Sequence, residues 1–239
     1  MPDLVLIDKP KGITSFDVIR RVRTQIGIKK IGHAGTLDPL ATGLMILGVG
    51  PGTKKLTDLI KLDKDYEAHI LIGERRLTGD MEGEIVESVN EVTLDPAHIL
   101  VAVAGLVGTL SLPVSAYSAI KKDGVPMYKR ARAAEKLGEV VTELPVRDMV
   151  VTKATVEHIE VVFADAVMKK ISRVLVQVNF SVGSGTYIRS LAEELGRRLG
   201  YPATLANLRR TRIGQFKIEH AKRIEDLNPI SNHWVPLGK

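Results

Sequence analysis

The stretch GHAGTLDPLATG, residues 32–43, contains three glycines, one carboxylate (Asp38) and a proline directly after that carboxylate. Glycine permits backbone turns that other residues disfavour, and a proline keeps the residue before it out of the helical region. Asp38 is therefore expected to be extended and presented by a rigid loop, which Leu37 and Leu40 root in a core. From the residues alone, this loop is either an ordinary turn or a site that displays a catalytic acid.

The composition favours a globular protein with a large core and a polyanionic partner. Hydrophobic residues make up 44% of the 239 residues and aromatic residues only 4%, so aliphatic side chains must fill the core. The formal net charge of +6 favours a polyanion without identifying one. The absence of cysteine excludes disulfides, thiolate metal sites and cysteine nucleophiles. Neither a signal peptide nor an apolar run of membrane-spanning length is evident, so we expect a cytoplasmic protein without membrane contact.

Hydrophobic periodicity and turn residues predict a mixed α+β domain. Strands are predicted at residues 4–8, 44–49, 65–73, 115–121, 146–162 and 173–181. Helices are predicted at residues 14–25, 53–62, 96–107 and 190–199, and another begins at residue 128. The two kinds of element alternate irregularly, and strands dominate the second half, which favours α+β over a regular βαβ arrangement.

Residues 32–43 resemble, position by position, the signature of the TruB family of pseudouridine synthases. These enzymes break the C1′–N1 bond of a uridine in RNA, rotate the base and rejoin it through C5. The resemblance extends from about Leu4 to Gly214. It implies the pseudouridine synthase catalytic fold, a mixed and mostly antiparallel central sheet flanked by helices and RNA-gripping loops.

The resemblance implies three catalytic residues, of which Asp38 is the essential acid. The string K-x-Y-x-A beginning at Lys64 matches the family position whose tyrosine stacks on the uracil, here Tyr66. The string GTYIR, residues 185–189, matches a motif whose arginine pairs with the aspartate, here Arg189. A guanidinium beside a carboxylate favours its charged form, which an acid enclosed with an apolar base requires.

Further residues are implied to bind the RNA substrate. The family histidine that fills the space left by the flipped base matches His33, although a histidine satisfied by loop carbonyls is the plain alternative. The string LRRT, residues 208–211, matches a family motif in which the leucine closes the uracil pocket and both arginines, here Arg209 and Arg210, face RNA. The full set of implied substrate-binding residues is His33, Tyr187, Leu208, Lys9, Arg209, Lys129 and Arg132.

One loop departs from the family pattern. Family members usually read G-x-x-T-D-T-x-D-x-x-G at the positions of residues 73–83. This chain has Arg76 and Leu77 in place of the Thr-Asp pair, whereas Thr78, Asp80 and Gly83 fit. The sequence offers no physical account of the replacement.

The resemblance also implies the domain organisation and the partners. A catalytic domain is expected over residues 1–224, with an RNA-contacting insertion around residues 115–145. Residues 225–239 are expected to form a short tail, with no complete C-terminal RNA-binding (PUA-like) module. The expected substrate is the uridine at position 55 in the T loop of tRNA, bound through the T arm by a monomer. Isomerisation adds and removes nothing, and the sequence has no P-loop, no dinucleotide-binding fingerprint and no metal-ligand spacing, so no cofactor and no metal are expected.

Other functions remain open at this point. The chain would also suit a non-catalytic RNA-binding protein on the same scaffold, or the related guide-RNA-dependent enzyme of archaea and eukaryotes. A glycosidase is a distant alternative, because no second acid has a matching place. The chemical path is equally open: Asp38 could attack C1′ or C6, or remove the C2′ proton. The glycines at residues 183 and 185 would also suit a generic phosphate-binding turn before a helix.

Overall fold

A computed structural model describes residues 4–139, 141–163 and 172–227. The chain forms two compact units, each made of segments that are discontinuous in sequence. The first comprises Met1–Glu67, Ser181–Ser184 and Asn207–Lys239, and the second comprises Ala68–Phe180 and Gly185–Ala206. The predicted tail, residues 225–239, lies outside the described residues from residue 228 onward.

The described residues have the predicted α+β composition. The strands are β1 (Leu4–Lys9), β2 (Ile31–His33), β3 (Thr42–Val49), β4 (Lys64–Ile72), β5 (Glu74–Arg76), β6 (Ile85–Ser88), β7 (Gly108–Pro113), β8 (Lys121–Lys122), β9 (Val125–Pro126), β10 (Val146–Phe163), β11 (Ser172–Val182), β12 (Ala203–Ile213) and β13 (Phe216–Lys217). The α-helices are α1 (Ser15–Ile26), α2 (Leu56–Ile60), α3 (Pro96–Ala104), α4 (Met127–Glu135) and α5 (Ile188–Leu199). Short 3₁₀ helices lie at Gly50–Lys55, Ile218–His220 and Ile224–Asp226.

In the first unit, β3 is the strand on which the others are assembled. Strand β1 pairs with it antiparallel from Leu4↔Gly48 to Lys9↔Gly43, and β2 pairs with its far end, also antiparallel. Strand β12 runs parallel to its start, with Arg209 opposite Thr42, so the sheet is mixed. Alternate side chains of β1 and β3 form a core with α2 and β13; its buried members are Leu4, Leu6, Ala34, Leu44, Ile46, Leu56, Leu59, Ile213 and Phe216.

Helix α1 lies within one residue of its predicted bounds and is capped at both ends. The Thr14 hydroxyl accepts a hydrogen bond from the Asp17 amide, and the Asp17 carboxylate accepts one from the Thr14 amide, each at 3.0 Å. This reciprocal capping box satisfies two amides that the first turn leaves free. At the other end Gly27 takes the left-handed conformation, with φ of 71°, which glycine adopts at low cost.

In the second unit the strand order is β4, β11, β10, β7. Strands β10 and β7 are antiparallel, from Val146↔Pro113 to Val151↔Gly108. Strand β5 pairs separately with β6. The two long strands predicted in the second half of the sequence are thus confirmed as β10 and β11.

Two predicted elements are wrong. The strand predicted at residues 115–121 is mostly turn, because its polar groups bond locally: the Tyr117 amide donates to the Ser115 hydroxyl oxygen at 3.2 Å. Only β8 remains, and it forms a two-residue hairpin with β9 around Asp123 and Gly124, both with positive φ. The helix predicted at residues 53–62 is a 3₁₀ helix over Gly50–Lys55 followed by the short α2.

Candidate active site and RNA-contacting residues

The loop over residues 34–41 connects β2 to β3 and carries Asp38. Leu37 and Leu40 on either side of Asp38 are buried, as the sequence predicts, whereas Asp38 itself is partly exposed. The Ala41 amide donates to the Asp38 carbonyl at 3.1 Å. The acid is therefore held at the surface of a loop that is rooted on both sides.

Ser15, the first residue of α1, fixes the backbone of Leu37, the residue directly before Asp38. The Ser15 hydroxyl donates to the Leu37 carbonyl at 2.9 Å and accepts from the Leu37 amide at 2.8 Å. Because both backbone groups of Leu37 are bound to one buried hydroxyl, the peptide units on either side of Leu37 have little freedom.

Lys9 lies fully buried at the end of β1, under the other side of the loop. Its ammonium donates to the carbonyls of Pro10, Pro39 and Ala41 at 3.1, 3.3 and 2.5 Å. Two of these carbonyls, those of Pro39 and Ala41, belong to loop residues that follow Asp38. The structure therefore shows Lys9 as a brace of the loop, and its substrate-binding role stays a prediction.

Arg210 braces the loop from β12, which the sequence analysis missed. Its side chain is 1% exposed and donates to the carbonyls of Leu44, Gly35 and Thr36 at 2.8, 3.1 and 3.4 Å. A Cβ on Gly43 would overlap the Arg210 carbonyl, so glycine is needed where β3 passes β12. The expectation that Arg210 faces RNA is wrong, because its side chain is buried and its guanidinium is bonded to these carbonyls.

Two titratable groups near Arg210 are shifted toward their neutral forms. Burial, with Arg210 adding to it, lowers the pKa of Lys64 to about 8. The Lys64 ammonium donates to the Ile60 and Leu62 carbonyls at 2.9 and 2.5 Å. Burial and the charge of Arg210 also lower the pKa of His33, which favours the neutral imidazole beside the loop.

The first unit also brings Leu208 and Arg209 next to the start of β3. The Thr42 hydroxyl donates to the Leu208 carbonyl at 3.4 Å. Arg209 is half-buried and pairs with Asp8. Leu208 and Tyr66 are both buried. The roles predicted for these three site residues are not decided by these placements and stay predictions.

In the second unit Arg189 is buried at the start of α5 among groups that the sequence analysis did not assign to it. Its guanidinium donates to the Thr78 carbonyl at 2.8 Å, to the Ser115 hydroxyl at 3.1 Å and to the Tyr117 carbonyl at 3.2 Å. The Asp80 carboxylate lies 3.9 Å from Arg189 Nη1. The pairing of Arg189 with Asp38 stays a prediction.

The remaining predicted RNA-binding residues also lie in the second unit. Lys129 and Arg132 are exposed on α4, and the Arg132 guanidinium carbon is 6.0 Å from the centre of the Tyr128 ring. Tyr187 precedes α5, where its amide donates to Met149 Sδ at 3.5 Å. The exposure of Lys129 and Arg132 is what phosphate contact requires, but their predicted binding roles are not tested by it.

Comparison with known proteins identifies the class and then the family. The model of the TruB family pseudouridylate synthase N-terminal domain matches residues 23–188, and that of the tRNA pseudouridylate synthase B C-terminal domain matches residues 189–235. A chain in the structure of an H/ACA RNP bound to a substrate RNA containing 2′-deoxyuridine has the same fold, with a TM-score of 0.64 and 23% identity. The fold is thus that of the pseudouridine synthases. The chain belongs to the TruB family.

Similar proteins cover most of the chain. It is 39% identical over 224 residues to tRNA pseudouridine synthase B of Arthrobacter sp. (strain FB24), covering 94% of this chain and 70% of that protein. It is 42% identical over 228 residues to tRNA pseudouridine synthase B of Streptomyces avermitilis, covering 95% of this chain and 73% of that protein. The solved chain in the H/ACA RNP is matched over 94% of this chain, which spans about half (52%) of that chain's length.

Within the described part of the chain, no helix is long and apolar enough to cross a bilayer. Among those same residues, no group of three or more histidine and carboxylate side chains is arranged to hold a metal ion.

Proposed function

We propose that this chain isomerises uridine to pseudouridine at position 55 in the T loop of tRNA, with Asp38 as the essential acid. The observation that carries the proposal is the bracing of the loop around Asp38. Ser15, Lys9 and Arg210 bind its backbone on both sides of the acid, while the acid itself remains partly exposed. A carboxylate held in this way needs little reorganisation before it reacts.

Family membership supports the reaction, and the names of the similar bacterial proteins support tRNA as the substrate. Attack on C1′ or C6 and removal of the C2′ proton both need an ionised carboxylate at the junction of sugar and base, so the proposal holds for either path. Tyr66 is proposed to stack on the uracil, and Arg189 to supply the positive charge that the acid requires. Because the proposed substrate is a cellular tRNA, we further propose a cytoplasmic enzyme that acts as a monomer through the T arm.

The test is tritium release from a T-arm stem-loop labelled at C5 of its uridines. C5 loses its hydrogen only when it becomes the new glycosidic carbon, so release reports the isomerisation directly. We expect release by the wild type and none by Asp38→Asn, with the RNA affinity of the variant nearly unchanged. Asp58→Asn, which alters an exposed aspartate of the same unit, is the matched control and should release tritium at the wild-type rate.

The opposite outcomes are equally informative. Substantial release by Asp38→Asn would contradict the role of the acid. Binding of the stem-loop without release by the wild type would contradict the proposed reaction on this substrate and favour a non-catalytic RNA-binding protein.

A further inference from the structure

Arg76, which stands where the family pattern has threonine, lies at an irregularity in the β5–β6 ribbon. The pairs Glu74↔Ser88 and Arg75↔Glu87 are regular, but the register shifts before Arg76↔Ile85. Such a bulge re-aims the side chains that follow it. Glu74 is buried, Arg75 is exposed and Arg76 is largely buried.

The Arg76 side chain joins the strand to the far end of the turn that follows it. Its Nε is 2.8 Å from Glu74 Oε1. Its Nη1 donates to the Gly83 carbonyl at 3.1 Å and approaches the Met81 carbonyl at 3.5 Å. One guanidinium therefore binds a carboxylate before the turn and a backbone carbonyl at its end, which its planar fork of donors permits.

The turn closed by Arg76, residues 77–83, is compact. The Leu77 amide donates to the Glu84 carbonyl at 2.9 Å, and the Gly79 amide donates to the Arg76 carbonyl at 2.9 Å. The Thr78 hydroxyl donates to Asp80 Oδ1 at 2.6 Å. A Cβ on Gly83 would lie 2.6 Å from the Thr78 amide, so the backbone of Gly83 packs closely against that of Thr78.

The same turn holds Arg189. Its Thr78 carbonyl accepts from Arg189 Nη1 at 2.8 Å, and its Asp80 carboxylate lies 3.9 Å from that nitrogen. We infer that Arg76 is a positioning residue, which fixes turn 77–83 and through it the Thr78 and Asp80 groups that orient the Arg189 guanidinium. The effect on turnover rests on the proposed function, whereas the effect on the turn does not.

The chain offers a well-matched pair of variants. In Arg76→Ala the buried Glu74 keeps a cation, because Arg173 Nε lies 3.7 Å from its other oxygen, so we expect the variant to fold. The adjacent Arg75 pairs with Glu87 at 3.0 Å, but both side chains are about half exposed (46% and 53%). Arg75→Ala therefore removes the same side chain from the same strand but leaves the bridge from Glu74 through Arg76 to Gly83 in place.

The experiment combines amide hydrogen exchange with steady-state tritium release from the labelled stem-loop. For Arg76→Ala we expect exchange in residues 77–83 to accelerate by about tenfold, and kcat to fall by on the order of tenfold. KM should stay within about twofold, because the inferred role of Arg76 is to fix the turn and not to bind the RNA. Arg75→Ala should match the wild type in both measurements. The exchange rate and kcat of Arg76→Lys should lie between those of Arg76→Ala and those of the wild type. Its ammonium keeps the charge beside Glu74 but cannot also bridge to Gly83.

Three results would overturn the inference: unchanged exchange in residues 77–83 of Arg76→Ala, equal losses of kcat in the two alanine variants, or a rise in KM with kcat unchanged. Its failure is distinguishable from that of the proposed function. If the wild type releases no tritium, the proposed function fails, and the exchange data alone still decide whether Arg76 fixes the turn.

Discussion

The guanidinium of Arg209 holds the carboxylate of Asp8 at two points, with Nη1–Oδ1 at 3.1 Å and Nη2–Oδ2 at 2.9 Å. This paired geometry is the strong form of an arginine–carboxylate contact. It occupies the side chain that the sequence analysis assigned to RNA. A phosphate at Arg209 has to compete with the Asp8 carboxylate for the guanidinium charge, whereas the Lys129 side chain is exposed.

Arg209 and Lys129 should therefore differ in their contribution to the salt dependence of RNA binding. Each phosphate contact made by a cation adds about one to the slope of log affinity against log salt concentration. Lys129→Ala should lower that slope by about one. Arg209→Ala should lower it by less than about half of that, because Asp8 already neutralises the charge. The measurement is binding of the T-arm stem-loop across a salt series. A full unit lost in Arg209→Ala, or none in Lys129→Ala, would contradict this reading.

Arg210 should be more important for stability than any surface arginine of the first unit. Arg210→Met removes the donors of three backbone carbonyls, those of Leu44, Gly35 and Thr36. Leaving buried acceptors unsatisfied costs about 1–3 kcal/mol each, less where relaxation or water restores a partner. We expect the free energy of unfolding to fall by about 3 kcal/mol, as measured by urea denaturation.

Two further measurements make the Arg210 prediction specific. Arg20→Ala removes a guanidinium whose side chain is 69% exposed, and it should change the free energy of unfolding by less than about 0.5 kcal/mol. In Arg210→Met the pKa of His33 should rise, because the charge of Arg210 is one cause of its lowering. An unchanged His33 titration by NMR would contradict the electrostatic contact between the two residues.

The sequence predicted the fold best where a pattern is local. Helix α1, the apolar run of β3 and the long β-branched strands all appear within a few residues of their predicted places. The strand predicted at residues 115–121 failed, because Ser115 and Tyr117 bond to each other and to Arg189 instead of to a neighbouring strand.

The candidate site was also predictable only where its pattern is local in the sequence. A contiguous motif marks Asp38, but the supports of its loop come from distant positions. Arg210 and Thr36 are 174 residues apart in sequence, and nothing local distinguishes Arg210 from its neighbour Arg209. The direction in which each arginine points depends on the register of β12 against β3. Only the assembled sheet fixes that register.

Lys64 predicts a pH dependence of stability on the alkaline side. Its pKa in the folded protein is about 8, whereas the pKa of an unfolded lysine is about 10.4. Between these two values the unfolded chain binds more protons than the folded one, so this group makes the free energy of unfolding rise with pH. Below the pKa of Lys64 in the folded protein, this lysine is protonated in both states, and the cost of burying its charge is constant. Above the pKa of Lys64 in the unfolded chain, this lysine is neutral in both states, and the cost of burying its charge is absent.

The measurement compares wild type with Lys64→Met by urea denaturation at about pH 7.5, below that window, and at about pH 10, near its upper end. Titrating groups shared by the two proteins cancel in the difference. The carbonyls of Ile60 and Leu62, which lose their donor in the variant, add a cost that does not depend on pH. We therefore expect the stability of wild type relative to Lys64→Met to increase with pH. Lys61→Met, at an exposed lysine of the same unit, should show a difference that does not vary with pH. A flat difference for Lys64→Met as well would mean that Lys64 keeps an ordinary lysine pKa, and that its burial beside Arg210 does not disfavour the charged form.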